Sequence, residues 1–449
     1  MGSPLALLLA LVLLIGSASE GFGQVVDGPP GSVGGLLGGR RPVDPNRTSQ
    51  SLAMNIDLSG GYERDPGQLV DTTDPALSIE GWYATTASAS SRYRIGHVRR
   101  SIEVDGRGFL NYQDNIGASL IGGHLSVDGS TYFSRRGSNQ LSVALETSYE
   151  PGAAFGAISA ELNPEGELTA PFPLAPLQGI TEQRWLVMSS TARYRQHWNT
   201  DHQSNVQFYV GRVRPISDAD GLESEWQNAI VTHNWALTRQ VGLMGVYRHN
   251  RSQGRDSSVV YPSVQFMSFE GGAQMSRRLS RNRMFTASIT AGATRVLDSV
   301  AVLGVPASLH PSFRAEAALT TVRSLGVSVG VHRDVAVLQG VSPSPMVNDS
   351  AAVTLSGTFA RRVRMALTGN FQRSTSLTGD ATRFDTSNAI GGSAELRYGF
   401  ARWGGVFAGV SRYRHRLQEE LVVAGLPSRY DRFAARVGLT LWVPLYGAF

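Results

Sequence analysis

From Ser51 onward the chain repeats one pattern. Segments of roughly 10 to 13 residues alternate apolar and polar side chains, and stretches rich in turn-forming residues separate them. In residues 185–197, Leu186, Met188, Ala192 and Tyr194 fall on one phase, and Ser189, Thr191, Arg193, Arg195 and His197 on the other. In 364–372, Met365, Leu367 and Phe371 oppose Arg364, Thr368, Asn370 and Gln372. In 389–400, Ile390, Ala394, Leu396, Tyr398 and Phe400 oppose Ser393, Glu395 and Arg397. In 433–443, Phe433, Val437, Leu439, Leu441 and Val443 oppose Arg436 and Thr440. Period two sends successive side chains to opposite faces, so each segment predicts a strand with one apolar face. No helical period competes over these windows.

The connections alternate in length. Short turns fall near 97–100, 135–138, 199–203, 238–240, 277–283, 323–324, 360–362 and 401–402. Longer polar loops fall near 62–77, 113–118, 151–183, 215–224, 251–260, 296–309, 336–349, 375–386 and 415–428. Short turns at one end and long loops at the other is the layout of a transmembrane β-barrel, closed so that no strand edge meets lipid. The expectation is an all-β fold, a single transmembrane antiparallel β-barrel of about 18 strands (16–18, because 77–127 divides ambiguously). Both termini then lie on the periplasmic side.

Composition agrees. Only 17% of residues are charged against roughly 25% in soluble proteins. A mean hydropathy of −0.12 excludes a bundle of membrane helices, whereas a barrel turns only alternate residues to lipid. One strongly apolar stretch stands at residues 4–16, followed by small residues. It predicts a signal peptide over 1–23, cleaved after Gly23 or Ser19, with an N-terminal anchor as the alternative. Residues 24–50 are rich in Gly and Pro and predict a flexible periplasmic arm, or a plug or partner-binding segment. The barrel is expected over 51–449.

Candidate chemistry is sparse. With no cysteine, disulfides and thiolate metal sites are excluded. The nine histidines are scattered, so neither a metal site nor a cofactor is expected. His332 near Asp334 and His415 near Glu419 lack a nucleophile in register, and no catalytic residues are expected. All 41 basic residues are arginine, which suits planar partners such as carboxylate and phosphate; a GC-rich genome gives the same bias. A net charge of +5 does not suggest nucleic acid. If the apolar phases face lipid, then Arg193, Arg195, Arg364, Arg397, Arg412, Arg414, Arg432 and Arg436 face the lumen. The assignment of Arg412 and Arg414 takes Phe407 and Tyr413 as lipid-facing. Such guanidinium groups would attract anions, or else pair with Glu395 or Asp431 and brace the wall.

The sequence resembles bacterial outer-membrane β-barrel proteins. In that family the last strand carries a signal for the barrel-assembly machinery: a polar residue, a Gly two on, then hydrophobics three and five after the Gly. Arg436, Gly438, Leu441 and Val443 match it, and Phe449 supplies the terminal aromatic, although residues 444–449 extend past the pattern. The arginine-rich turn spacing is also similar to barrels found with exopolysaccharide export systems. The resemblance implies an outer-membrane location and, as partners, outer-membrane lipid and the assembly machinery. Three functions follow as expectations. The first is a porin-like, anion-preferring passage for small solutes. The second is an accessory or conduit in exopolysaccharide export, the arm meeting periplasmic export components. The third is an occluded barrel acting as a surface-binding or structural protein, with 151–183 as its recognition loop.

Overall fold

A computed structural model describes the strands and parts of the tight turns between Ser49 and Tyr446. Residues 1–48 and 447–449 lie outside the described residues, as do 65–81, most of 152–183, 298–306, 378–386, 418–428 and shorter stretches of other connections. The expected signal peptide, nearly all of the arm, and Phe449 therefore fall outside them.

The strands in chain order are β1 (Ser49–Arg64), β2 (Trp82–His97), β3 (Arg100–Gln113), β4 (Ala118–Tyr132) and β5 (Asn139–Pro151). The two-residue β6 (Glu161–Leu162) and β7 (Leu168–Thr169) pair only with each other. Then come β8 (Arg184–His197), β9 (His202–Pro215), β10 (Glu223–Ala236), β11 (Val241–Arg255), β12 (Val264–Ser280) and β13 (Arg283–Leu297). The series ends with β14 (Ser308–Thr321), β15 (Gly326–Val337), β16 (Pro345–Ala360), β17 (Val363–Ser376), β18 (Ser387–Gly399), β19 (Gly404–Leu417) and β20 (Arg429–Tyr446). Eighteen of these form one sheet in which each strand pairs antiparallel with the next and β5 pairs with β8. The sheet closes through β20, which pairs with β19 on one side and β1 on the other.

The closing ladder runs from Leu52 opposite Tyr446 to Arg64 opposite Phe433. A register shift at Leu52/Ala53 absorbs Leu445 beside Pro444, whose missing N–H suits an interrupted ladder. The last strand is therefore paired on both sides. At the short-turn end, side chains supply the turn's hydrogen bonds. Asn199 Oδ1 accepts from the backbone N–H groups of Asp201 and His202 at 2.8 and 2.7 Å. Thr238 Oγ1 accepts from those of Gln240 and Val241 at 3.1 and 3.0 Å. Such side-chain turns let the chain reverse within a few residues.

Burial is inverted relative to a soluble domain. On β20, Arg432 and Thr440 are buried while Phe433, Val437 and Leu439 are exposed. The same holds on β13, where Thr290 and Thr294 are buried and Ile289 is 59% exposed. The concave face is polar and the outside apolar, with every ladder satisfied around the ring. That is the arrangement a β-structure needs to cross a bilayer.

Candidate lumen wall

The strand phase sets which side chains line the inside. Arg193 and Arg195 share the phase of buried Thr191 on β8, Arg364 that of buried Ala366 on β17, and Arg397 that of Glu395 on β18. Arg432 and Arg436 share the phase of Thr440 on β20. Arg412 and Arg414 do not follow. They share the phase of exposed Val406 and Val410 on β19, opposite Phe433 and Asp431. The inward residues of β19 are Phe407 and Tyr413, both buried. The expectation that Arg412 and Arg414 face the lumen is corrected: the period held, but these two aromatics line the wall rather than meet lipid.

Phe407 sits inside because its surroundings suit a ring. It lies over Gly438 of the next strand, where a Cβ would come within 2.6 Å of the ring. The guanidinium carbons of Arg397 and Arg436 stand 5.3 and 5.7 Å from its centroid, within cation–π reach. Gly438, expected as part of the assembly signal, thus also makes room for an aromatic. Between the two guanidiniums lies Glu395, which accepts from Arg397 Nε at 2.5 Å and Arg436 Nη2 at 3.1 Å. One buried carboxylate is therefore shared by two arginines, and Arg364 lies opposite Arg397 in the ladder.

Further charged groups were not singled out from the sequence. On β11 and β12, Arg248 donates to Glu270, whose second oxygen accepts from Thr290 Oγ1 at 2.7 Å. On β2 and β3, Arg92 Nε reaches Asp105 Oδ1 at 2.7 Å and Glu103 Oε1 at 3.2 Å. The facing of Arg248 is not legible in the sequence because both faces of β11 are apolar at its start: Leu243 is exposed, while Met244 and Val246 are buried with Ile230. Alternation there gives no sign of which face is inside.

Two histidine arrangements differ from the sequence reading. His202 approaches His233 of β10, with 3.3 Å between ring nitrogens, a proximity that their scattered positions in the sequence do not show. His332 does have a hydroxyl in register: Ser350 of β16 lies directly opposite, its Oγ 2.6 Å from Nε2. Both residues sit in mid-ladder, where backbone N–H groups are committed to strand pairing and cannot form an oxyanion hole. No cluster of three or more His, Asp or Glu side chains able to hold a metal occurs among the described residues.

No protein-family model matches the sequence, and no curated protein matches it significantly. Solved structures similar in architecture include OccAB2 of Acinetobacter baumannii, at 11% identity and a TM-score of 0.45, covering 88% of this chain and 98% of that one. OccK2 (OpdF) of Pseudomonas aeruginosa gives 11%, 0.43, 88% and 98% for the same measures. OpdK of Pseudomonas aeruginosa, solved with vanillate, gives 10%, 0.41, 87% and 99%. The fold assignment stands on this chain's own closed ladder and apolar outside. It is a transmembrane β-barrel.

Proposed function

We propose that the chain is a bacterial outer-membrane barrel providing a porin-like passage for small solutes, with a preference for anions. Long loops face outward and both barrel ends of the chain face the periplasm, as is usual for the architecture. Eighteen strands are enough to enclose an aqueous interior rather than a filled core. The observation that carries the preference is the wall formed by β17, β18, β20 and β1. It presents Arg364, Arg397, Arg432 and Arg436 beside the carboxylates of Glu395 and Asp57, so that guanidinium outnumbers carboxylate on this stretch of the wall. A wet lumen lined by excess guanidinium attracts anions and repels cations.

Refolded protein in planar bilayers tests this. The expected result is discrete conductance steps, with a reversal potential in a KCl gradient that favours chloride. The preference should weaken as ionic strength rises and the screening length falls from about 10 Å at 0.1 M to about 3 Å at 1 M. Arg397→Gln should reduce it. Arg412→Gln, on the outside face, should leave it unchanged. Cation preference, or folded protein without conductance, would overturn the proposal.

A further inference from the structure

The outside of the barrel is not the same at its two ends. Near the short turns, exposed rings predominate, among them Trp198, Trp235, Phe359, Phe400 and Trp403. Near the long loops the apolar face gives way to arginine, and it does so on six successive strands that run toward that end. Each carries an outward arginine directly after its apolar stretch: Arg212 on β9, Arg251 on β11, Arg295 on β13, Arg333 on β15, Arg373 on β17 and Arg412 on β19. Alternate strands of a sheet lie roughly 10 Å apart, so these guanidiniums recur at about that spacing around much of the circumference. Arg212, Arg333 and Arg412 have carboxylate partners in Glu223 and Glu225, Asp349, and Asp431 respectively. Arg251, Arg295 and Arg373 make no ion pair within 4 Å among the described residues, although Arg373 stands opposite Asp349 in the ladder, and all three are exposed.

One part of this belt is recessed. A crevice of about 550 Å³ opens on the outside of β8–β11, lined by Met188 and Val210 on its apolar side and by Arg212, Glu225, Gln227, Arg251 and Gln253 on its polar side, where Glu225 is paired with Arg212. Arg251 stands directly opposite Gln227 in the ladder. The crevice thus combines an unpaired guanidinium, two amides and an apolar floor at the boundary where a membrane lipid's head meets its chains.

We propose that this belt binds membrane lipids through headgroup phosphate, with the β8–β11 crevice as one seat. The proposal rests on the membrane reading given under Proposed function. Phosphate is the anionic group of bilayer lipids that matches a planar guanidinium in bidentate fashion. The belt itself stands at the long-loop end, which under the membrane reading faces the outer leaflet; the exposed arginines Arg100, Arg277 and Arg283 lie at the short-turn end and form no part of it. The apolar floor assigns it to an amphiphile rather than to free phosphate.

The test uses the refolded full chain in detergent and native mass spectrometry, with three probes at equal concentration: diphosphorylated lipid A, the same lipid dephosphorylated, and inorganic phosphate. The protein should retain the diphosphorylated lipid and little of the other two. The triple variant Arg251→Gln/Arg295→Gln/Arg373→Gln should lose about tenfold or more in retained lipid, the loss of a few charge-assisted bonds. Arg251→Gln alone, at lower cost to assembly, should lose part of it, and Arg251→Lys less. Heat-modifiable migration on gels reports folding in each case. Equal retention of the two lipids, or an unchanged triple variant, would overturn the belt; retention of inorganic phosphate alone would assign a simple anion site instead and overturn it too. Insertion into neutral phosphatidylcholine vesicles is the independent arm. A protein that inserts yet shows no phosphate preference loses only the belt, whereas one that never inserts overturns the membrane reading itself.

Discussion

Glu395 holds Arg397 and Arg436 at once, and its side chain is only 6% exposed. Removing its charge leaves two guanidiniums facing each other across a poorly solvated gap. Taking one partner from a buried pair costs about 3–5 kcal/mol, and glutamine, which still accepts a hydrogen bond, should cost somewhat less. Glu395→Gln is therefore expected to lower urea-unfolding stability by about 3 kcal/mol and to increase anion preference in bilayers. Unchanged stability would show that the carboxylate does not brace the wall. The phases of Glu395 and Arg397 were legible in their own strand. Their convergence with Arg436 was not, because that residue lies two strands away and meets them only through the register of β18 to β20. Phe407 misled the reading for a physical reason: a ring flanked by guanidiniums and seated on a glycine is stable inside a wet wall, so an aromatic does not by itself mark lipid.

Elements were the most legible level. Alternation and turn chemistry are local properties of the chain, and they give the strands and a count of about 18, within 16–18, against 18 in the closed sheet. Even the ambiguous 77–127 resolves into Trp82–His97, Arg100–Gln113 and the start of Ala118–Tyr132, though the link from Gln113 to Ala118 is as short as a turn. How closely two strands approach is not local, and the ladder of β12 with β13 shows it. A Cβ at Gly272 would stand 1.8 Å from the carbonyl oxygen of Ile289, and one at Gly292 1.8 Å from that of Phe269. This close approach lies beside the Glu270–Thr290 bond of the Arg248 cluster. Gly292→Ala should therefore cost about 1–3 kcal/mol, the usual range for forced overpacking. Gly271→Ala, next in sequence to Gly272 but on the open face with nothing within 4 Å, should stay within about 0.5 kcal/mol. Equal effects in urea titrations would refute the close approach.

For the whole molecule, closure depends on β20 because it is the one strand that joins the two ends of the sheet. Truncation after Ala435 removes most of the ladder to β1 and exposes backbone groups on both neighbours, so the truncated protein should be missing from membrane fractions. Leu441→Arg is the graded version. Leu441 shares the outward phase of Leu439 and faces Ile56, so a charge there should cost about 2–4 kcal/mol at mid-bilayer and less near the interface. Normal membrane levels of the truncated form would rule out this account of closure.

That same ladder fixes an order of events in time. Every other pairing in the ring joins strands that follow one another along the chain, β5 and β8 being separated only by the two-residue strands β6 and β7, and each is available as soon as its two strands have been made. The β1–β20 ladder joins the earliest strand to the latest, so no shorter length of chain has a version of it. Until β20 exists, the growing sheet carries two raw edges, each a template for the wrong partner. Contacts this distant along the chain also form slowly, because the entropy of bringing the ends together is lost before any bond repays it. The ring therefore has no half-closed resting state. Its two edges stay open until Ser49–Arg64 and Arg429–Tyr446 meet.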